Sequence, residues 1–247
     1  MGDTGADVLW GLVAAHAASR GGRVSVADVC AVAVGLAAAD GAWVTAASGR
    51  GPDFVMCVTD PVGEQLAELQ LMLGEGPCHD VLASAAPVLA GDLGDPESAR
   101  RWPAFTDEAR RAGAAAVFAF PLVIGAIRAG AMGLYRGVPG PLGRHFGDCL
   151  LLADAATVLL LDAAGEGGAA DGDGPGLGGQ APHLAHHRAE IDQATGMLTV
   201  QLDVPVAEAY ARLRAYAYAQ DRRLAEVATD IVARRLRLQP PGGEGQP

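Results

Sequence analysis

Residues 191–238 read IDQATGMLTVQLDVPVAEAYARLRAYAYAQDRRLAEVATDIVARRLRL and carry the most regular hydrophobic pattern of the chain. Apolar residues recur at steps of three and four in three successive runs, which predicts three short amphipathic helices. Breaks at 203–205 and 220–222 separate the runs. Since helices of this length are marginal alone in water, we expect the three to pack together as a small all-α bundle.

The order of residues in this segment resembles the ANTAR family, a small helical RNA-binding module of transcription antiterminators. The resemblance is carried by 191–198 (IDQATGML), by the spacing of Ala209, Leu213 and Ala217, and by 224–228 (LAEVA). One departure lies at the start of the second helix. Pro205 stands where the family usually has a Ser or Thr cap, and Asp203 is a candidate cap in its place.

The resemblance implies which residues contact RNA. In ANTAR proteins the region that corresponds to Ala194, Thr195 and Gly196 is associated with RNA contact, and Arg214 and Tyr216 resemble the remaining polar and aromatic contact positions. RNA loops are recognised by stacking of splayed bases and by hydrogen bonds to base edges, which such side chains can provide. A sharp form of the hypothesis is that Thr195→Glu or Arg214→Glu abolishes RNA binding and leaves thermal unfolding nearly unchanged.

Three further residues complete the predicted interface. Gln193 lies beside the Ala-Thr-Gly triplet, and Arg188 and Arg212 are candidates to hold phosphates. Each residue also has a structural interpretation: Gln193 and Thr195 could be merely exposed, Gly196 could permit tight helix packing, and Tyr216 could be a core or rim aromatic.

Charge is distributed unevenly along the chain. The net charge is −11, and no lysine occurs, so all 18 basic residues are arginines. Residues 1–164 hold 10 Arg and 18 acidic residues, for −8, whereas residues 183–238 hold 8 Arg and 7 acidic residues, for +1. Only the C-terminal part suits an anionic partner, and such a contact has to be local and geometric because the whole chain repels nucleic acid.

Helix and strand patterns alternate before residue 165. The chain begins with two helical patterns. Strand-like runs follow at 42–47 and 54–59, then a helix at 61–73 and further strands at 87–90, 115–121 and 129–135. A long apolar helix at 142–161 comes last. Adjacent strands bracketed by helices indicate an α+β domain with a mainly antiparallel sheet. Ser25 with Asp28 three residues later predicts a capping box at the second helix.

Four short motifs in this part are similar to those of GAF domains: GEGPC at 74–78, PV at 87–88, FAFPL at 118–122 and GLYR at 133–136. The resemblance covers about residues 6–162, and GAF domains are found joined to ANTAR in bacterial regulators, including those of the actinobacterial type. It implies a sensor of a small molecule or a dimerisation domain. No residue identifies a ligand or cofactor.

These patterns divide the chain into four segments. We predict a GAF-like domain at 6–164, a flexible Gly-rich linker at 165–182, an ANTAR domain at 183–238 and a disordered tail at 239–247. No basic, apolar leader opens the chain, and no apolar run is long enough to span a membrane. We therefore expect a soluble, cytoplasmic protein.

Catalytic and metal chemistry find little support. Cys78-His79 is a possible activated nucleophile, but adjacent helical side chains point about 100° apart, so a buried structural Cys78 is favoured. Cys57, Cys78 and Cys149 could converge as a redox centre, although no local redox motif joins them. The cluster of His183, His186 and His187 has metal-like spacing but lacks enough nearby ligands, so a solvated helix start is favoured.

The sequence thus predicts a non-enzymatic regulator. A GAF domain would sense a signal or form a homodimer, and an ANTAR bundle would bind stem-loops in a leader transcript. The alternative is a GAF protein that senses a small molecule or redox state and whose helical tail binds a protein partner. A DNA-binding helix-turn-helix is disfavoured because the third pattern lacks a polar base-reading face.

Overall fold

The computed structural model describes residues 5–47, 53–166 and 182–239. The described residues form two compact units: an N-terminal unit of residues 5–47 and 53–166, and a C-terminal unit of residues 182–239. Most of the predicted linker, and the tail from 240 onwards, lie outside the described residues. The last helix before the linker continues to Glu166, and the first helix after it begins at Pro182.

The N-terminal unit has seven helices and five strands in the described residues. In chain order they are α1 Gly5–Ser19, α2 Val26–Ala37, β1 Gly41–Ala46, β2 Phe54–Val58, α3 Pro61–Leu73, α4 Pro77–Ser84, β3 Val88–Ala90, α5 Pro96–Arg101, α6 Pro103–Arg111, β4 Ala116–Ile124, β5 Ile127–Arg136 and α7 Phe146–Glu166, with a 3-10 turn at Gly143–His145 before α7. The strand order is β2-β1-β5-β4-β3, and every pair is antiparallel. The predicted α+β class with an antiparallel sheet is confirmed.

Side chains of the sheet alternate between two buried faces. Val44 of β1 belongs to the large core formed with α1, α2 and α7, whereas α3 and α4 pack on the opposite face, to which Trp43 points. Trp43 lies directly over Gly133 of β5, where an added Cβ would stand 2.2 Å from the indole ring. The small residue at 133 is therefore what makes room for the indole.

The predicted capping box at α2 is confirmed and is larger than expected. Asp28 is fully buried and accepts hydrogen bonds from the Ser25 backbone N–H at 2.9 Å and from the Ser25 hydroxyl at 2.7 Å. From α1 and the turn after it, His16 Nδ1 lies 2.8 Å and Arg20 Nη2 lies 2.6 Å from the same carboxylate. The arrangement ties α1 to the start of α2. The pKa of Asp28 is held well below its ordinary value by these hydrogen bonds, which outweigh the opposing effect of burial.

Strand β2 contains a bulge. Ala46 pairs with Phe54 and Thr45 with Val55, but Val44 pairs with Cys57, so Met56 is an extra residue on the β2 side. A bulge of this kind changes the face to which the following side chains point.

The C-terminal unit contains three helices: α8 Pro182–Leu202, α9 Val206–Ala219 and α10 Leu224–Val232. The predicted three-helix arrangement is confirmed, although α8 begins nine residues before the first predicted run. Its buried core consists of Ala194, Leu198, Leu202, Ala209, Leu213, Ala217, Leu224, Ala225, Val227, Ala228, Ile231 and Leu238.

The connection between α8 and α9 differs from the expected cap. Asp203 adopts a left-handed conformation with φ of 52° at the end of α8, and Pro205 is the residue that precedes α9, with no side-chain cap bond. The prediction that Asp203 caps α9 is wrong. Proline instead fixes a backbone conformation that suits the start of a helix.

Two helices were not delineated by the sequence patterns. Helices α4 and α5 are short, at eight and six residues, and both begin with proline. In residues 5–47, 53–166 and 182–239, no helix combines the length and the apolar character that a membrane span requires.

Candidate nucleic-acid interface

Two of the predicted RNA-contact residues lie inside the helical bundle. Ala194 is fully buried and Thr195 is 2% exposed. The Thr195 hydroxyl donates to the Ile191 carbonyl at 2.7 Å, so its polar group is satisfied within α8. The expectation that these two side chains face a ligand is therefore wrong for this conformation. Glu at position 195 would bury a charge, so an unchanged thermal unfolding of Thr195→Glu is no longer expected.

Gly196 and Gln193 lie on the exposed side of α8. An added Cβ at Gly196 meets no atom within 4 Å among the described residues. The interpretation of Gly196 as a tight helix contact is thus not supported within the bundle. Its lack of a side chain instead leaves the backbone of α8 open to close approach from outside.

Gly196 forms part of a surface groove of about 670 Å³ between α8 and the segment that follows α10. Val200, which is 85% exposed, provides an apolar surface in the groove. The side-chain amide of Gln201 donates a hydrogen bond to the backbone carbonyl of Leu238, and the Leu238 residue is buried. These contacts hold the C-terminal segment against α8. The lining residues are Gln193, Gly196, Met197, Val200, Gln201, Ile231, Arg234, Leu236 and Arg237.

Two arginines line the groove. Arg234 has a left-handed backbone with φ of 59°, which ends the helical path and turns the chain back, and Arg237 follows three residues later in the non-helical segment. Both are exposed, and within the described residues neither forms an ion pair. Arg235 between them is directed elsewhere, with Nε 2.8 Å from Asp230. The groove therefore combines two cations, two amides and apolar surface.

Asp230 neutralises the neighbouring basic residues. Arg222 Nη2 lies 2.7 Å from its carboxylate, and Arg235 contacts the other oxygen at 2.8 Å. The hydrogen bonds from these two guanidinium groups lower the pKa of Asp230. Of the five arginines at residues 222–237, only Arg234 and Arg237 line the groove.

Helix α9 separates its predicted contact residues. Arg214 and Tyr216 are two residues apart on one helix and so point about 200° apart. The Arg214 guanidinium lies 5.6 Å from the centre of the Tyr210 ring. Arg212 pairs with Glu208 one turn earlier in the helix. These three residues do not form one surface.

Arg188 also has a partner. Its Nε lies 3.7 Å from the Asp192 carboxylate, one turn later in α8. The structure therefore brings only Gln193 and Gly196 of the eight predicted residues to the groove. Sequence reasoning missed Met197, Val200, Gln201, Arg234 and Arg237. The sequence feature that could have indicated the groove is Val200 beside Gln201, followed 34 residues later by the RRLR run at 234–237.

The cysteines do not form the nucleophile or the triad that the sequence left open. Burial raises the pKa of Cys78 to about 12 and is the main cause that raises the pKa of Cys149 to about 11, and the neighbouring His79 is exposed. Cys57 pairs instead with Cys30, at 3.2 Å between the sulfurs. Neutral, buried thiols are poor nucleophiles.

Residues 181–232 match the family model of the ANTAR domain. No curated protein matches the chain. Solved structures with similarity include the GAF domain of a phosphoenolpyruvate-protein phosphotransferase from Acinetobacter, at 13% identity over 68% of this chain and 99% of that chain, with a TM-score of 0.48. The corresponding GAF domain from Coxiella burnetii is 14% identical over 66% and 98%, with a TM-score of 0.49. The GAF-B domain of DevS from Mycobacterium smegmatis is 18% identical over 56% and 91%, with a TM-score of 0.40.

Proposed function

We propose that the chain is an RNA-binding regulator of transcription antitermination of the actinobacterial GAF and ANTAR type. The C-terminal unit binds stem-loops in a leader transcript and favours an antiterminator hairpin over a terminator. The N-terminal unit senses a signal or dimerises and has no enzymatic role. The observation that carries the proposal is the ANTAR match at 181–232, because it covers the three-helix unit that holds the groove.

The composition of the groove supports a loop as its ligand. Unpaired bases of an RNA loop present flat apolar faces and polar edges, and the loop backbone carries phosphates. Val200 supplies apolar surface, Gln193 supplies an amide that can bond a base edge, and Arg234 and Arg237 supply the cations for phosphate contact or for stacking. At Gly196 the bare backbone allows a base to approach α8 closely.

Two bundles acting together would bind paired stem-loops more tightly than one, because the second contact is intramolecular. Val8 and Leu12 lie one turn apart on the same face of α1 and are 52% and 43% exposed, which supports a homodimer through the N-terminal unit. Burying such residues against a second copy is favourable. A small molecule remains a proposed ligand of this unit, and its chemistry is open.

The direct test is a titration of the full chain against a leader RNA with two hairpins and against the same RNA with scrambled loops. We expect tighter binding to the native loops. Equal affinity for both RNAs would refute the proposed specificity.

Neighbouring arginines provide a matched pair for the groove. Arg234→Ala should weaken binding and reduce the slope of log affinity against log salt by about 1, because one phosphate contact is lost. Arg235→Ala removes the same charge one residue away, from a side chain held by Asp230, and should change both quantities less. Equal effects of the two variants would assign the binding to general charge and not to the groove. Absence of any salt-dependent RNA binding would favour the rival role, in which the bundle contacts a protein.

A further inference from the structure

Two buried thiols meet between helix α2 and strand β2. The sulfur atoms of Cys30 and Cys57 lie 3.2 Å apart, and both residues belong to the core of the N-terminal unit. Disulfide sulfurs are about 2.05 Å apart, so an approach of about 1.2 Å would bring this pair to bonding distance. A bond here would join two elements that are 27 residues apart in the chain.

The bulge at Met56 is what places Cys57 on this face. Phe54 pairs with Ala46 and faces the core with α2, so strict alternation would turn residue 57 to the opposite face. The extra residue reverses the phase, and Cys57 pairs with Val44, which also faces α2. The thiol pair is therefore produced by a specific backbone irregularity. Cys78 lies on α4, which packs against the other face of the sheet.

We propose that Cys30 and Cys57 form a redox modification site, in which a peroxide oxidises the two thiols to a disulfide that joins α2 to β2. The site lies in the N-terminal unit and is independent of the proposed RNA binding. Under this proposal the N-terminal unit responds to peroxide through the pair of Cys30 and Cys57. This pair differs from the predicted grouping of Cys57, Cys78 and Cys149.

The chemistry proceeds in two balanced steps. The Cys57 sulfur attacks one oxygen of hydrogen peroxide, the O–O bond breaks, and one water leaves as Cys57 becomes a sulfenic acid. The Cys30 sulfur then attacks the Cys57 sulfur, the S–O bond breaks, and a second water leaves. Two thiols are oxidised, one peroxide is reduced, and two water molecules form.

The position of β2 explains why Cys57 reacts first. Strand β2 is one of the two edge strands of the sheet, and Cys57 is 4% exposed whereas Cys30 is fully buried. Local opening of an edge strand costs less than opening of the sheet centre. The hydrogen bond with Cys57 and burial raise the pKa of Cys30, so this thiol is protected in the closed state. We therefore expect slow oxidation that urea below the unfolding transition accelerates.

The experiment treats the native full chain with hydrogen peroxide, stops the reaction with acid, and alkylates all remaining thiols in denaturant before mass spectrometry. We expect alkylation at two of the four cysteines, Cys78 and Cys149, and a loss of about 2 Da before alkylation. Peptide mapping should show the Cys30 to Cys57 link, and dithiothreitol should reverse it.

Matched variants separate this site from general thiol oxidation. Cys30→Ser and Cys57→Ser should abolish the link, whereas Cys78→Ser and Cys149→Ser should retain it. All three tryptophans lie in residues 1–164, so tryptophan emission follows the N-terminal unit and checks that each variant is folded. In the oxidised wild-type chain this emission should report a thermal midpoint higher by about 5–10 °C.

Three outcomes would overturn the proposal: four alkylated cysteines after exposure to peroxide under mild urea, a disulfide that includes Cys78 or Cys149, or only a bond between two chains. If either serine variant fails to fold, Cys30→Ala and Cys57→Ala take its place with the same mass readout.

Discussion

Replacing Asp28 with asparagine should destabilise the N-terminal unit by about 3 kcal/mol. The buried carboxylate accepts from Arg20, His16 and Ser25, and hydrogen bonds to a charged group contribute about 1.5–3 kcal/mol each. Asparagine keeps one acceptor oxygen, and the Arg20 side chain, which is 45% exposed, regains water when the pair is lost, so the expected loss corresponds to about two such bonds at the lower end of the range. For a domain of this size the thermal midpoint should fall by about 6–12 °C.

Tryptophan emission during urea or thermal unfolding measures this loss in the intact chain. Trp43 is fully buried and Trp102 is 3% exposed, so unfolding of the N-terminal unit will shift their emission. Asp95→Asn is the matched control. Asp95 is an exposed N-cap that accepts from the Glu97 N–H at 3.0 Å, and asparagine is about as good a cap as aspartate.

The pH dependence tests the cause of the effect. Because the folded-state pKa of Asp28 is depressed, its stabilising contribution is present above the unfolded-state pKa near 4 and is lost as pH falls through the lower folded value. The difference between wild type and Asp28→Asn should therefore narrow as pH falls below 4. Equal midpoints for Asp28→Asn and Asp95→Asn at pH 7, or a difference that stays constant into acid, would refute the reasoning.

Three further changes test other parts of the structure. Gly196→Ala should stabilise the C-terminal unit by about 0.5–1 kcal/mol in circular dichroism melts, because alanine favours helix and its Cβ meets open space. The same variant should weaken RNA binding in the titration. An unchanged affinity for RNA would show that Gly196 is not part of the interface. Thr195→Glu should lower the stability of the same unit by more than about 3 kcal/mol, whereas Gln193→Glu on the exposed face should change it by less than about 0.5 kcal/mol; similar melts would contradict the assigned burial. Gly133→Ala should destabilise the N-terminal unit and change the emission of Trp43, and a melt equal to wild type would show that the indole moves without cost.

The sequence predicted the elements with long periodic patterns and missed features that depend on backbone geometry. Helix α3 was predicted at its observed bounds, Pro61–Leu73, because a proline start and a glycine stop coincide with its apolar period. The bulge at Met56 has no such signal, since Phe54–Val58 is apolar on both faces. The pairing of Cys30 with Cys57 could not be predicted without it.

The candidate interface shows the same limit. Thr195 is polar and was placed at the surface, but a threonine that bonds the carbonyl one turn earlier can be buried at little cost. The groove depends on the turn at Arg234, where a non-glycine residue adopts a left-handed conformation that no local pattern indicates. The family resemblance directed attention to α8, which forms one wall of the groove, whereas the side chains on the other wall could be identified only from the path of the C-terminal segment.

The near balance of charge in the C-terminal unit, where Asp230 pairs with both Arg222 and Arg235, has a kinetic consequence for the proposed RNA binding. Asp230 offsets one of these two cations, and the bundle keeps a net charge near zero because residues 183–238 hold 8 Arg and 7 acidic residues; residues 1–164 add a charge of −8. Long-range attraction then contributes little, and association should run near the unsteered range of about 10⁵–10⁶ M⁻¹s⁻¹. Encounters with unrelated transcripts will be infrequent and brief. Discrimination between transcripts would then depend on the dissociation rate of the bound loop.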